Sequence, residues 1–122
     1  MSRKKRILVA DDAETVTVLL STTLEMNGYE VLTAGNGIEA YERGKSESFD
    51  LVILDQLMPG LSGLEVIQKW NDDGLDIPVL MLSAVDDEKT IVDSLDLGAV
   101  DFVQKPFRLR ELLARVRQRL TD

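Results

Sequence analysis

Residues 51–60 read LVILDQLMPG. The four apolar residues 51–54 predict a strand that is buried on both faces. Asp55 cannot lie inside such a strand, because an unpaired buried carboxylate is very costly. It is therefore expected at the C-terminal end of the strand, where Pro59 and Gly60 turn the chain. Ligands bind at this end of the strands in open α/β sheets, so Asp55 is predicted to do chemistry or bind an ion, with a solvated loop acid as the alternative.

The order of strand and helix repeats along the chain. Further apolar runs predict strands at 6–10, 30–34, 78–82 and 101–104. Apolar residues at helical spacing predict helices near 16–27, 38–45, 63–73, 87–97 and 109–120. Such alternation indicates a parallel sheet with helices on both faces, so we expect a single α/β domain over residues 1–122. The pattern alone does not give the strand order.

Helical spacing also predicts which side chains enter the core. In the second helix these are Ile38 and Tyr41. The sequence Ser62-Gly63-Leu64-Glu65 has the form of a capping box at the start of the third helix. The side chains that this helix points inward are then expected to be Leu64, Ile67 and Trp70.

Composition excludes several classes of function. The net charge of −8 argues against affinity for the nucleic acid backbone. The absence of Cys and His excludes thiolate metal sites, histidine ligands, histidine bases and a phosphohistidine in this chain. No apolar run approaches the roughly 20 residues of a membrane helix, and the basic start, residues 1–6, lacks the apolar region of a signal peptide. We therefore expect a cytoplasmic protein that binds neither nucleic acid nor membrane.

Polar side chains follow four of the predicted strands. Asp11 and Asp12 follow the first, Asp55 the third, Ser83 the fourth and Lys105 the fifth. In a parallel sheet these ends share one edge, where three carboxylates repel one another unless a cation is present. Oxygen ligands without His or Cys favour Mg²⁺ or Mn²⁺. Each residue alone has a structural alternative, such as a helix cap for the first two, but together they predict phosphoryl transfer to a carboxylate nucleophile.

The chain resembles the receiver domain of two-component response regulators over essentially its whole length. The matching residues are Asp11-Asp12, Asp55, Met58-Pro59, Gly63, Ser83-Ala84, Gly98-Ala99 and Lys105-Pro106-Phe107. The resemblance implies a doubly wound, flavodoxin-like sheet of five strands in the order 2-1-3-4-5. It also implies a signalling phosphoacceptor, not an enzyme, that catalyses only its own phosphorylation and dephosphorylation.

The resemblance assigns roles around the acceptor. Asp55 would carry the phosphoryl group as an aspartyl phosphate. Asp12, Asp55 and the backbone carbonyl of Leu57 would bind Mg²⁺ directly, and Asp11 would act through water. Lys105 would pair with the phosphoryl group.

Further roles concern the phosphoryl oxygens and the response to them. Ser83 and the backbone amide of Ala84 would hydrogen-bond these oxygens. Phe102, where the family often has Tyr, would turn inward as Ser83 moves, and the Lys105–Pro106 peptide bond would be cis. Two apolar side chains are expected to flank the path of the hydrolytic water and to slow dephosphorylation, namely Leu57 and Val85.

The resemblance also implies partners. The phosphodonor would be a sensor histidine kinase or a histidine phosphotransfer protein. The fourth helix, fifth strand and fifth helix would form a switch face that controls an effector domain, a partner protein or a phosphorylation-dependent homodimer. Ile91 departs from the winged-helix subfamily, which usually has a basic residue there in its dimer contact. The arginines of the last helix are expected on its flanks and outer face, namely Arg108, Arg110, Arg115, Arg117 and Arg119.

Three rival interpretations make different demands on the sequence. A phosphatase of the haloacid dehalogenase type needs a second Asp two residues after the nucleophile, where this chain has Leu57. A flavodoxin-like cofactor carrier needs a loop of Ser, Thr and Gly after the first strand, where Asp11-Asp12 would repel a phosphate. A structural pseudo-receiver would not need the complete acidic set.

Overall fold

The computed structural model describes residues 3–121. Residues 1, 2 and 122, which the predicted domain includes, lie outside the described residues. Within this range no helix is both long enough and apolar enough to cross a membrane. The strands are β1 (Arg6–Ala10), β2 (Glu30–Ala34), β3 (Leu51–Leu54), β4 (Val79–Ser83) and β5 (Asp101–Gln104). The helices are α1 (Glu14–Met26), α2 (Gly37–Ser46), α3 (Gly63–Asp72), α4 (Glu88–Asp96) and α5 (Leu109–Leu120).

All neighbouring strands pair in parallel, in the order β2-β1-β3-β4-β5. The α/β class predicted from the repeat and the strand order implied by the resemblance are both confirmed. β4 begins at Val79, one residue later than predicted. Pro78 has no N–H to donate, and only its carbonyl takes part, accepting from the amide of Val52 at 2.9 Å.

The core lies on both faces of the sheet, because alternate strand residues point to opposite sides. On one face Leu8, Val52 and Met81 pack against residues of α2 and α3, including Ala40 and Trp70. On the other face the strands pack against α1 and α5 through Ile7, Ile53, Leu80, Leu24 and Leu112. Burial on both faces explains why the central strands are continuous apolar runs.

The helix faces differ in part from the prediction. Ile38 is 55% exposed, so its predicted burial is wrong. Its side chain lies over Gly60 instead, because an added Cβ at Gly60 would come within 2.8 Å of it. Leu64 is only half-buried and Val66 is buried in its place, whereas the inward positions of Ile67 and Trp70 are confirmed.

The predicted capping box at the start of α3 is confirmed. The amide of Glu65 donates to Ser62 Oγ at 3.2 Å, and the amide of Ser62 donates to Glu65 Oε1 at 2.9 Å. Both bonds satisfy N–H groups at the start of α3. The helix that follows the Asp55 turn therefore begins at a well-defined residue.

Candidate functional site

Three carboxylates meet at the C-terminal ends of β1 and β3. Asp11, Asp12 and Asp55 each offer one oxygen, and these atoms lie within 4.8 Å of one another. Asp11 is 3% exposed and Asp55 is 6% exposed, whereas Asp12 is exposed. The predicted convergence of these acids is confirmed, and Asp55 is not a solvated loop acid.

Lys105 brings a positive charge to the same edge from the end of β5. Its Nζ lies 2.5 Å from Asp11 Oδ2 and 3.6 Å from Asp55 Oδ2. Its backbone amide donates to the carbonyl of Ser83 at 2.8 Å, which keeps it in register with the end of β4. The Lys105–Pro106 peptide bond is cis, as the resemblance implies. One ammonium thus faces three carboxylates, and the site keeps a surplus of negative charge.

The pKa of Asp55 is raised by its burial and by the negative charge around it. Burial raises this pKa above its usual value, and the negative charges of Asp11 and Asp12 raise it further. The ammonium of Lys105 and the backbone amide of Gln56 act in the opposite direction without reversing the shift. A cation beside Asp55 would relieve both the repulsion and the burial of an uncompensated charge.

The donor set fits a hard divalent cation. Both oxygens of Asp11 are engaged within the protein, since Oδ1 accepts from the amide of Ala13 at 2.9 Å and Oδ2 pairs with Lys105. Asp12 and Asp55 are therefore the better placed carboxylates for direct coordination. A site with few carboxylates and several retained waters is typical of Mg²⁺ in proteins.

The turn after Asp55 is held against the start of α3. The amide of Gly63 donates to the carbonyl of Gln56 at 2.9 Å, and the amide of Leu64 donates to Gln56 Oε1 at 2.8 Å. The side chain of Leu57 is 61% exposed. Gln56 was not among the predicted site residues, although a polar residue between a buried strand and a capping box is a usable signal.

Of the predicted phosphoryl-binding and switch residues, Ser83 and Ala84 lie at the end of β4, and Phe102 lies on β5 beside Met81. Ser83 is fully buried and its Oγ accepts from the amide of Val85 at 3.1 Å. Ala84 is exposed and Val85 is half-buried. Phe102 is half-buried and packs against the core cluster on the α2–α3 side of the sheet.

The arginines of α5 are not all on an outer face. Arg115 is half-buried and pairs with Asp101 at 3.0 Å and with Glu111 at 3.2 Å. Arg119 donates to the carbonyl of Val100 at 2.7 Å. These contacts join α5 to β5 and to the turn before it. The arginines that α5 and its N-cap expose without such contacts among the described residues are Arg108, Arg110 and Arg117.

This chain is similar to known proteins in sequence and in structure. The family model described as response regulator receiver domain matches residues 7–117. The alkaline phosphatase synthesis transcriptional regulatory protein PhoP of Bacillus subtilis is 45% identical over 93% of this chain and 47% of its own length. Response regulator MprA of Mycobacterium ulcerans is 46% identical over 92% of this chain and 48% of its own length. The chain thus spans about half the length of these curated relatives.

Solved structures agree with the sequence relatives. Response regulator protein TrrA from Thermotoga maritima, in complex with Mg²⁺ and BeF, superposes with a TM-score of 0.84 at 40% identity, covering 95% of this chain and 99% of that one. A CheY-like response regulator receiver domain protein from Methanospirillum hungatei superposes with a TM-score of 0.90 at 29% identity, covering 96% and 94% of the two chains.

Proposed function

This chain belongs to the response regulator receiver domain family, and from that premise we propose that Asp55 is its phosphoacceptor. Members of the family are signalling phosphoacceptors of two-component systems, not classical enzymes. One observation carries the proposal: the Asp55 carboxylate lies at the end of β3 within 4.8 Å of oxygens from two further carboxylates. Lys105 Nζ is 3.6 Å away on the same edge. The arrangement combines a nucleophile, a cation site and a fixed positive charge.

The proposed chemistry is the transfer of a phosphoryl group from a phosphohistidine. An oxygen of Asp55 attacks phosphorus and forms an O–P bond, while the P–N bond to the donor imidazole breaks and the leaving nitrogen takes up a proton. When bound, Mg²⁺ supplies positive charge against the carboxylates and the phosphoryl oxygens. Burial of Asp55 in a position fixed by β3 limits the geometries of attack, and in this proposal that restriction accelerates the chain's own phosphorylation.

The other proposed site residues bind the group that arrives. Asp12, Asp55 and the Leu57 carbonyl would hold Mg²⁺ or Mn²⁺, with Asp11 acting through water. Lys105 would exchange part of its contact with Asp11 for a phosphoryl oxygen. Ser83 Oγ and the amide of Ala84 would bond the remaining oxygens, and Phe102 would respond to the movement of Ser83.

We predict that the chain takes up one phosphoryl group from acetyl phosphate with Mg²⁺ and none in EDTA. Asp12→Ala should raise the Kd for Mg²⁺ at least about tenfold, because the loss of a group that only orients a metal ligand already weakens metal affinity about 10–100-fold. Without metal the same variant should melt at or above the wild-type temperature, because one repelling charge is gone. Calorimetry and thermal melts test both statements, with Asp76→Ala, an exposed acid in the α3–β4 loop, as the control. A variant that melts much lower in EDTA would contradict the account of repulsion.

The lifetime of the phosphorylated form should depend on Leu57 and Val85. Neither side chain can orient or activate a water, so we predict slow loss of phosphate. Leu57→Asn or Leu57→Glu should change the first-order loss of phosphate severalfold or more. Leu19→Asn, at an exposed leucine of α1, should leave it unchanged. Loss of phosphate from the wild type within seconds would refute this prediction.

The partners and the output are proposed from the same family. The donor would be a sensor histidine kinase or a histidine phosphotransfer protein. Phosphorylation would favour one arrangement of the face formed by α4, β5 and α5, and an effector domain, a partner protein or a second copy of the chain would select that arrangement.

Charge reversal on α5 tests the output face. Arg115 is a poor choice because it pairs with Asp101 and Glu111 inside the fold. Arg110→Glu with Arg117→Glu changes only exposed side chains. We expect this double variant to be phosphorylated at the normal rate and to lose beryllofluoride-dependent assembly in analytical ultracentrifugation. Lys4→Glu, before β1, is the control, and unchanged assembly of the double variant would move the output surface elsewhere.

A further inference from the structure

We propose that Gln56 is a positioning residue for the phosphoacceptor site. Its side chain fastens the turn after β3 to the first turn of α3, and so holds the Asp55 carboxylate and the Leu57 carbonyl where a cation can bind both. This inference rests on the proposed function of the site and adds to it the residue that keeps its geometry.

Gln56 accepts hydrogen bonds through two different groups, both from the start of α3. Its backbone carbonyl accepts from the amide of Gly63 at 2.9 Å, and its side-chain Oε1 accepts from the amide of Leu64 at 2.8 Å. The first N–H groups of a helix have no partner within the helix. Gln56, the residue after the phosphoacceptor, provides acceptor oxygens for two of these groups in α3.

The turn and α3 are in direct backbone contact at this point. A Cβ on Gly63 would lie 2.5 Å from the carbonyl oxygen of Asp55 and 3.1 Å from Gln56 Cα. α3 is itself a firm support, because Val66, Ile67 and Trp70 are buried in the core. The turn is thus fixed against a rigid helix, and a site with precise geometry requires such a support.

The side-chain bond matters because Leu57 itself has little hold on the fold, whereas Met58, the next residue, packs against the core. Leu57 is 61% exposed, so its side chain cannot fix its own peptide group. Pro59 is exposed, and its carbonyl accepts from the amide of Gly37 at 3.1 Å. Without Gln56 Oε1, the amide of Leu64 would hydrogen-bond to water instead. The peptide group between Gln56 and Leu57 would then lose its nearest side-chain restraint. A metal ligand contributed by the backbone of Leu57 is then less well placed.

Gln56→Met tests the proposal, because Met has a similar length and lacks the strong acceptor. We expect calorimetry to show a Kd for Mg²⁺ roughly tenfold higher than that of the wild type. This is the lower end of the loss of metal affinity when a group that orients a metal ligand is removed. Amide exchange at Leu64 should accelerate in the same variant. Gln56→Glu keeps an acceptor oxygen and should restore slow exchange at Leu64. Gln56→Asn is too short to reach Leu64, so it should repeat the loss of affinity without adding apolar surface if the Met variant folds poorly.

Gln68→Met is the matched control, since Gln68 is an exposed residue of α3 that bonds only to Asp72 in the described structure. If Gln56→Met and Gln56→Asn bind Mg²⁺ as tightly as Gln68→Met, Gln56 is only a helix cap and the proposal is overturned. That result leaves the proposed function intact, provided that the wild type binds Mg²⁺ and takes up phosphate. A wild type that does neither refutes the proposed function itself.

Discussion

Replacing Asp55 with Asn should abolish phosphoryl uptake from acetyl phosphate in the presence of Mg²⁺. Asn has nearly the shape of Asp but lacks a carboxylate oxygen that can attack phosphorus. Intact-mass spectrometry should show one added phosphate on the wild type and none on Asp55→Asn. Asp76→Asn, at an exposed acid of the α3–β4 loop, should be labelled like the wild type. Equal labelling of the Asp55 variant would place the acceptor elsewhere.

The same variant should be more stable than the wild type in EDTA. The pKa of Asp55 is raised in the folded state by burial and by Asp11, so its ionised form opposes folding. For a raised pKa the favourable contribution is complete below the unfolded pKa and is lost as pH rises through the folded pKa. Above the folded pKa the wild type therefore carries the full penalty, which Asn removes. A higher melting temperature in EDTA also shows that lost labelling is not caused by unfolding.

Gly37→Ala should destabilise the fold strongly although Ala is the better helix former. A Cβ on Gly37 would lie 1.9 Å from the carbonyl oxygen of Leu61 and 2.6 Å from its carbonyl carbon. Backbone atoms cannot rotate away as a side chain can, so the start of α2 and the turn at 59–61 must move apart. The amide of Gly37 would then lose its bond to the carbonyl of Pro59, now 3.1 Å long. Overpacking of this kind costs about 1–3 kcal/mol and sometimes more.

Thermal melts or denaturant titrations measure the effect. For a domain of this size each kcal/mol lowers the melting temperature by about 3–6 °C. Gly35→Ala is the control in the same loop, because its Cβ would have only Glu39 Oε1 nearby, at 4.0 Å. Gly35→Ala should therefore melt close to the wild type. If both variants melt alike, the close approach of α2 to the Leu61 carbonyl is wrong.

Local residue chemistry was enough to predict the framework of this protein. The apolar run 51–54 predicts a strand covered on both sides, and Asp55 is expected to follow it, because burying an unpaired charge inside the sheet is too costly. Parallel strands direct all their carboxyl ends to one edge, so the acids at 11, 12 and 55 were expected on the same edge. The five-strand α/β class and the shared edge accordingly followed from the sequence, whereas the close contact of the acids also needs β1 and β3 to be neighbours. The strand order came from resemblance to a family, since many orders satisfy the same alternation.

Only the tertiary structure decided how the elements rotate and which polar groups pair. Leu64 and Val66 are both apolar, and the rotation of α3 against the sheet buries one of them and half-exposes the other. Lys105 stands 94 residues from Asp11. It lies closer to Asp11 than to Asp55 although β3 is nearer to β5 in the sheet than β1 is, so strand order alone does not predict this pair. The bond from Gln56 Oε1 to the amide of Leu64 likewise needs the turn to fold back onto α3. Periodicity and residue type predict which side of a segment is buried. Contacts between distant side chains depend instead on how each helix rotates and shifts along the sheet, which is decided only when all the elements pack together.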